Sequence, residues 1–536
     1  MKNIQFTFSI KKFEWFANFF RKHGILSLIV FLSVLSISSF VYNYFTGLGL
    51  LYNDARSHLD IGRRVVENLK PGFAQLGSVW LPLPHILMLL TIWNDFMWHS
   101  GLSGALQSMV SYVATGVLIF LLLKELGVNL FGRLMGVAVF ALNLNILYMQ
   151  STAMTELLLM ATMTAAAYEL VLWHKDENFF RFIRIAFWVM LSTLIRYDGW
   201  FLFAVVTALL IFHLFKKYGY KKTEGAILIF LTLAGLGIFL WFLWNLLIFK
   251  DPLYFAFGPY SADTQQKAME AAGALPTKHN LYVSFITYCY ALIYNTNPFF
   301  LLISVIGAFL LWFDRRIAGT QRLAVSVLFA PFFFNVLALY LGHSSLYVKD
   351  LMGSWFNVRY GLMMLPTVAI FTGYFVYKAA KARYLFLGLF ILISFFAFAN
   401  RDAVSLDDAM FGSSGKNVRE VSGWLRDNAA GKSGFVLISV ASHDAIIFSS
   451  DMPMNRFIHE GTGLYWKYAT ENPAKWARWI VMRTHDENDN TFHLLEYNEE
   501  LKDYKLVRRY PFADIYELRD QYISELITKP ILVQQK

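Results

Sequence analysis

Asp54, in the stretch LYNDARSHLD, follows directly on a long apolar run, with Arg56, His58 and Asp60 close behind it. A carboxylate one or two residues beyond a membrane span is either an ordinary solvated loop residue or an acid at the membrane surface, placed to take a proton from an acceptor hydroxyl. Glu156 opens a second apolar run, QSTAMTELLLMATM. A charge inside the hydrocarbon costs about 2.5–3.5 kcal/mol on insertion scales, so such a residue faces a cavity or a partner. The alternative is a helix capped by Thr155 with Glu156 in its favourable first turn. Arg196 and Asp198, in LIRYDGWFLF, stand at the tip of a tight hairpin with Gly199 suited to a turn; they either pair with each other or orient Asp54 or a substrate. Arg359 and Tyr360 open the run WFNVRYGLMMLP. An arginine at the end of a span can snorkel to the interface. It is also the side chain best shaped to hold a phosphate through two parallel hydrogen bonds as charge develops there. His85, His343 and Lys349 are weaker candidates for the same pocket.

Other patterns carry no such chemistry. AAGKSG (429–434) lacks the upstream glycine of a phosphate-binding loop and follows a helix rather than a strand. HDENDN (485–490) is acidic without calcium-loop spacing. No His or Cys cluster suggests zinc, and the single cysteine, Cys289, excludes an internal disulfide.

These candidates must be positioned by membrane helices. Of the 536 residues, 57% are hydrophobic and 18% aromatic, a composition of polytopic membrane proteins and not of soluble ones. The net charge of +10 sits in short Lys/Arg clusters between apolar runs. That is the pattern of cytoplasmic loops, so the charge reports topology and implies no nucleic-acid partner. Residues 1–24 alternate aromatics with lysines and arginines, as a cytoplasmic amphipathic helix lying in the interface does. Spans of roughly 20 apolar residues then predict about eleven crossings, near 25–48, 104–123, 134–150, 156–173, 183–195, 200–215, 225–249, 298–313, 322–342, 360–377 and 384–399. Several are short, and the hairpin around residue 197 is expected not to reach full depth.

With the N-terminus inside, the turns KELGVNLFGR, HKDENFFRFIR, FKKYGYKK, FDRRIAGTQR and YKAAKAR all fall inside, and all are basic, as the positive-inside rule requires. The loop of about 51–103, the turns at 150–156 and 196–199, the loop 250–297, the stretch 342–360 and everything after about 400 then lie outside. Asp54, Glu156, Arg196, Asp198 and Arg359 share that face. The 51–103 loop reads as short helices in the interface. Residues 401–536 read as a small extracytoplasmic α/β domain, with a helix in KNVREVSGWLRDNAAGKSG, strands in FVLIS, AIIFS, RWIVMR, YKLVRRY and DIYELR, and helices in PAKWAR and FHLLEYNEEL. The fold class is therefore a polytopic α-helical membrane protein with a small outer α/β domain.

An acid just after the first span, a second acid opening the fourth, and an Arg-Tyr opening a late span resemble the GT-C superfamily of integral membrane glycosyltransferases. The likeness is to the protein mannosyltransferase and aminoarabinose transferase group, of the family-39 kind. YNDARSHL is similar to the Asp-Glu-Ala-Arg-type motif of their first outer loop, SVWLPLPHILML to their Trp-Leu-Pro-Leu-x-His stretch, and NVRYGLMMLP to their Arg-Tyr-x-x-x-x-x-Pro segment. The resemblance covers about 25–400. It departs at Asn53-Asp54, where many relatives carry two adjacent acids, so one carboxylate is left for the base role and a two-acid metal site loses a ligand.

The resemblance implies a plasma (inner) membrane enzyme that moves a sugar from a polyprenyl-phosphate donor to a glycan, lipid or protein acceptor on the extracytoplasmic face, by inverting displacement. In that reading Asp54 accepts the acceptor's proton, and Arg359, with Arg196, stabilises the departing lipid phosphate. Glu156 orients hydroxyls, while Asp198, Tyr360 and His85 complete the substrate site. Membrane lipids are partners, no particular cofactor is implied, and a divalent cation stays open. Three other readings are a ligase moving a whole oligosaccharide, a transporter, and a non-catalytic scaffold. A transporter is expected to show paired halves with broken midplane helices, and neither is visible in the sequence.

Overall fold

The apolar runs fold as helices because, without water to bond to, a backbone crossing hydrocarbon must satisfy its own N–H and C=O groups. The computed structural model describes residues 10–258, 261–412, 418–484 and 489–531, and at 10–22 and 441–444 the backbone only. The first nine residues of the expected interfacial helix, and 485–488 of HDENDN, lie outside the described residues. A helix runs from Ile10 to Phe45 with a kink at His23, which divides the N-terminal segment from the first span.

Among the described residues eight helices are long and apolar enough to cross a membrane: 23–45, 102–125, 156–176, 198–218, 220–249, 319–341, 358–378 and 380–411. The remaining predicted crossings are helical as well. The run 134–150 divides into Leu130–Ala141 and Leu144–Met149, because Asn143 accepts a hydrogen bond from the Ile146 N–H and so starts a second helix. The run 183–195 is the 15-residue helix Phe179–Thr193.

One correction concerns the loop read at 250–297. Its last part is a helix, Leu281–Thr296, joined through Asn297 to Pro298–Phe313 at a bend of 107°. Ser, Thr, Tyr and Asn dilute its hydropathy, yet several of their polar groups bond back to the helix's own carbonyls. Ser284 Oγ donates to Asn280 O, Asn295 Nδ2 to Ala291 O and Thr296 Oγ1 to Leu292 O.

The spans 156–176 and 358–378 are the most buried, at 72% and 83% of their apolar windows, whereas the first and last spans are peripheral, at 17% and 11%. The centre of the bundle is tight. A Cβ on Gly307 would lie 2.0 Å from Phe371 O, so the helix Pro298–Phe313 packs at this distance only through glycine.

The C-terminal domain, the one expected outside, holds a five-stranded sheet of β1 (Phe435–Ile438), β2 (Phe457–Ile458), β3 (Ala477–Met482), β4 (Tyr504–Arg509) and β5 (Asp514–Leu518), in the order β2-β1-β3-β5-β4. β1 pairs parallel with β2 and β3, and β5 antiparallel with β3 and β4. AIIFS, read as a strand, belongs to the helix Val440–Ser449. The reason is topological: two parallel neighbours need a crossover, and this helix is the link from β1 to β2. It packs on the helix Asn53–Val66 of the first outer loop. Gln75 Nε2 of that loop also donates to Gly461 O in the outer domain, at 2.7 Å.

Candidate active site

Three acids open three helices. Asp54 lies in the first turn of Asn53–Val66, Glu156 begins Glu156–Asp176, and Asp198 begins Asp198–Tyr218. The positive end of each helix dipole favours a carboxylate there, which is the local reason for acid at each start. The packing brings these helix ends to one place, and two arginines hold them together.

Arg359 is the hub, 3% exposed, in the 3-10 turn Val358–Met364 that leads into the helix Leu365–Lys378. Its Nη2 donates to Asp54 Oδ2 at 2.5 Å and its Nε to Glu156 Oε1 at 3.2 Å. Its guanidinium lies over the rings of Tyr52 and Tyr360, 4.7 and 5.4 Å from their centroids. Arg196 reaches the same Glu156 oxygen at 3.2 Å and pairs through Nε with Asp198 Oδ2 at 3.2 Å, with its guanidinium 5.1 Å from the centroid of the same Tyr360 ring. Arg196 and Asp198 thus pair with each other, and Arg196 also holds Glu156 rather than Asp54.

Glu156 is fully buried. Thr155 makes no side-chain cap bond; its hydroxyl accepts from Arg196 Nη1 at 3.3 Å, which corrects the capping alternative. The arginine outcompetes the helix because a buried carboxylate needs a counter-charge more than the helix needs a cap. Two buried polar atoms remain without a partner, Arg359 Nη1 and Glu156 Oε2. Asp54, by contrast, is 39% exposed at its side chain.

Gly199 serves the hairpin in a different way from the turn geometry expected of it. A Cβ there would lie 2.1 Å from Ser192 O, so glycine permits a close approach and supplies no left-handed turn.

His85 is buried beside the cluster and not in it. Its Nε2 meets His58 Nδ1 at 2.8 Å, and the His58 ring packs 4.3 Å from Trp80. Burial, reinforced by the charges of Arg196 and Arg359, lowers His58 to about 3, and burial also holds His85 well below the ordinary histidine value. The pair is neutral and shares one N–H between two rings. His343 and Lys349 are exposed and take part in none of the hydrogen bonds or ion pairs of the cluster.

Sequence reasoning missed the supports. Tyr52 OH donates to Ser405 O at 2.7 Å and to Asp408 Oδ2 at 3.0 Å, fixing the ring that faces Arg359. Asn335 Nδ2 reaches Asp198 Oδ1 and Tyr288 OH, each at 3.5 Å. Tyr52, two residues before Asp54, was the one legible signal. Asp408 had been assigned with the outer domain, though its helix, Val404–Phe411, packs into the membrane part through Ser405 and Asn145.

Among the described residues no three His, Cys, Asp or Glu side chains gather in a way that would hold a metal ion. At Asp54 the preceding residue is Asn53, and Arg359 Nη2 donates to Oδ2.

The order of the membrane helices and the small C-terminal sheet domain give the chain an ArnT-like fold. The structure is similar to ArnT from Cupriavidus metallidurans bound to undecaprenyl phosphate, with a TM-score of 0.56 at 10% identity over 91% of this chain and 98% of that one. It is similar to the apo state of the same protein with a TM-score of 0.52 at 10% identity and the same coverage. The Archaeoglobus fulgidus oligosaccharyltransferase in its apo form aligns with a TM-score of 0.49 at 10% identity, over 86% of this chain and 70% of that one. No family model and no curated protein matches the sequence.

Proposed function

We propose that this protein is an integral membrane glycosyltransferase that moves a sugar from a polyprenyl-phosphate donor to an acceptor hydroxyl at the extracytoplasmic face. The observation that carries the reading is Arg359, a buried guanidinium whose Nη1 has no partner, beside the most exposed carboxylate of the cluster. Support also comes from the fold shared with ArnT, a protein whose structure holds undecaprenyl phosphate.

The donor's phosphate takes Arg359 Nη1 and competes with Asp54 for Nη2. Donor docking thereby frees the carboxylate that must act as base. The acceptor oxygen attacks the anomeric carbon from the face opposite the phosphate, its proton passes to Asp54, and the carbon–oxygen bond to the phosphate breaks with inversion. The negative charge released on the phosphate meets Arg359, with Arg196 behind it. Glu156 keeps both guanidiniums in register and offers its unpartnered oxygen to a sugar hydroxyl. Tyr360 shelves the two arginines, and the neutral His58–His85 pair walls the site.

Asp54→Asn is expected to lower transfer by about 10²–10⁴-fold in folded protein, as loss of a general base does. Mass spectrometry of cells lacking the protein, or carrying Asp54→Asn, is expected to find an accumulated polyprenyl-phosphate sugar. Normal transfer by purified, folded Asp54→Asn sinks the base assignment.

A further inference from the structure

Where the outer domain meets the first outer loop, a second set of donors lacks acceptors. Arg64, on the helix Asn53–Val66, has a buried Nε without a partner, and His459, 1% exposed at the end of β2, has an unpartnered Nε2. The tautomer of His459 is fixed, since its Nδ1 accepts from the Gly461 N–H at 3.1 Å. Neutral His459 therefore carries its proton on Nε2, as a free donor. Its neutrality follows from burial and from the charge of Arg64, which both lower its pKa.

The junction of the two loops is built and not incidental. Gln75 Nε2 donates to both Lys70 O and Gly461 O, at 2.7 Å each, which locks the two loops together. A Cβ on Gly463 would lie 3.5 Å from Lys70 Nζ, so this exposed ammonium stands against the His459 loop. The acids next to these residues in sequence are committed elsewhere. Glu67 pairs with Arg63. Glu460 accepts from Ser439 Oγ at 2.6 Å, from the Val440 N–H at 2.8 Å and from Asn490 Nδ2 at 2.9 Å. Buried donors with no acceptor are costly, and an oxyanion supplies what they lack.

We propose that Arg64 and His459, with Lys70 at the rim, form a site for an oxyanion of the acceptor, a phosphate or a carboxylate carried some distance from the reacting hydroxyl. Arg64 lies ten residues along the same helix from Asp54, about 15 Å at 1.5 Å per residue, which sets that spacing. The proposal rests on the transferase reading and specifies its acceptor: an anionic molecule long enough to reach from the base to the outer domain.

The test is binding of inorganic phosphate to the whole purified protein, followed by ³¹P NMR, with saturating undecaprenyl phosphate present to occupy the central arginines. Wild type is expected to bind phosphate under these conditions. Arg64→Gln and His459→Gln are each expected to weaken it about tenfold, the size of one lost charge-assisted or buried hydrogen bond. The exposed Lys70→Gln, which leaves the packing untouched, is expected to weaken it about threefold, in the range of an exposed charge. Displacement of the phosphate by acetate assigns a carboxylate acceptor, and its persistence assigns a phosphate. Phosphate binding that vanishes when the lipid is added, or that is unchanged in all three variants, overturns the proposal. Failure of undecaprenyl phosphate itself to bind strikes the transferase reading alone, because the effect of the variants on phosphate is read independently.

Discussion

Arg359 Nε donates to Glu156 Oε1 at 3.2 Å although 203 residues separate the two in sequence. Arg196 meets the same oxygen at the same distance. One carboxylate oxygen thus holds two guanidiniums that would otherwise repel, in a place where water cannot screen them.

Glu156→Gln is therefore expected to destabilise the protein by about 3–5 kcal/mol, since it leaves buried charge uncompensated. Chemical denaturation of the detergent-purified variant measures this. Glu156→Gln combined with Arg359→Gln is expected to cost less than the sum of the two, by about 0.5–3 kcal/mol, as residues of one network do. Strict additivity contradicts the bridging role.

Gly199→Ala is expected to lower both thermal stability and transfer, because the added methyl meets Ser192 O at 2.1 Å and must push apart the hairpin that carries Arg196 and Asp198. Gly225→Ala, where a Cβ meets nothing within 4 Å, serves as the control and is expected to be neutral or slightly stabilising. Equal melting curves for the two variants count against the close approach.

Acid is expected to destabilise the outer face. His58 titrates at about 3 in the folded protein, and His85 and His459 are also lowered by burial. In the unfolded chain each takes its proton near pH 6.5. Below that pH the unfolded state binds protons that the folded state does not, so stability falls as pH drops from about 6.5, and for His58 keeps falling until about 3. The slope is at most about 1.4 kcal/mol per pH unit for each histidine. His58→Gln is expected to flatten the dependence of unfolding free energy on pH between about 7 and 5 by up to one proton. A slope identical to wild type counts against a buried neutral His58.

The orientation is open to direct labelling. Tyr497, 88% exposed in the outer domain, becomes a unique thiol in Tyr497→Cys combined with Cys289→Ala. An impermeant maleimide added to intact cells is expected to label it, and to leave Lys222→Cys in the same background unlabelled until the membrane is opened. The reverse pattern places the acids on the cytoplasmic side and ends the proposed use of a lipid-linked donor.

Much of this protein is legible residue by residue. Hydropathy is a local property, so each of the predicted apolar runs is a helix, and the basic turns could be sorted from the acidic helix starts without coordinates. Asp54, Glu156, Asp198, Arg196 and Arg359 were recognisable because charge at a span end is expensive and needs a reason. What the sequence left hidden is long-range or self-compensating. The helix Leu281–Thr296 escaped because Ser, Thr, Tyr and Asn dilute its hydropathy while several of them bond back to its own carbonyls, and the helix Val440–Ser449 because only the parallel order of β1 and β2 demands a crossover. That Thr155 gives up a cap for Arg196, that Tyr52 shelves Arg359 through Asp408, and that Arg64 Nε and His459 Nε2 are left without partners are outcomes of packing between segments tens to hundreds of residues apart. Chain-local periodicity carries no information about which helix ends meet; only burial of the whole bundle decides which charges must find one another.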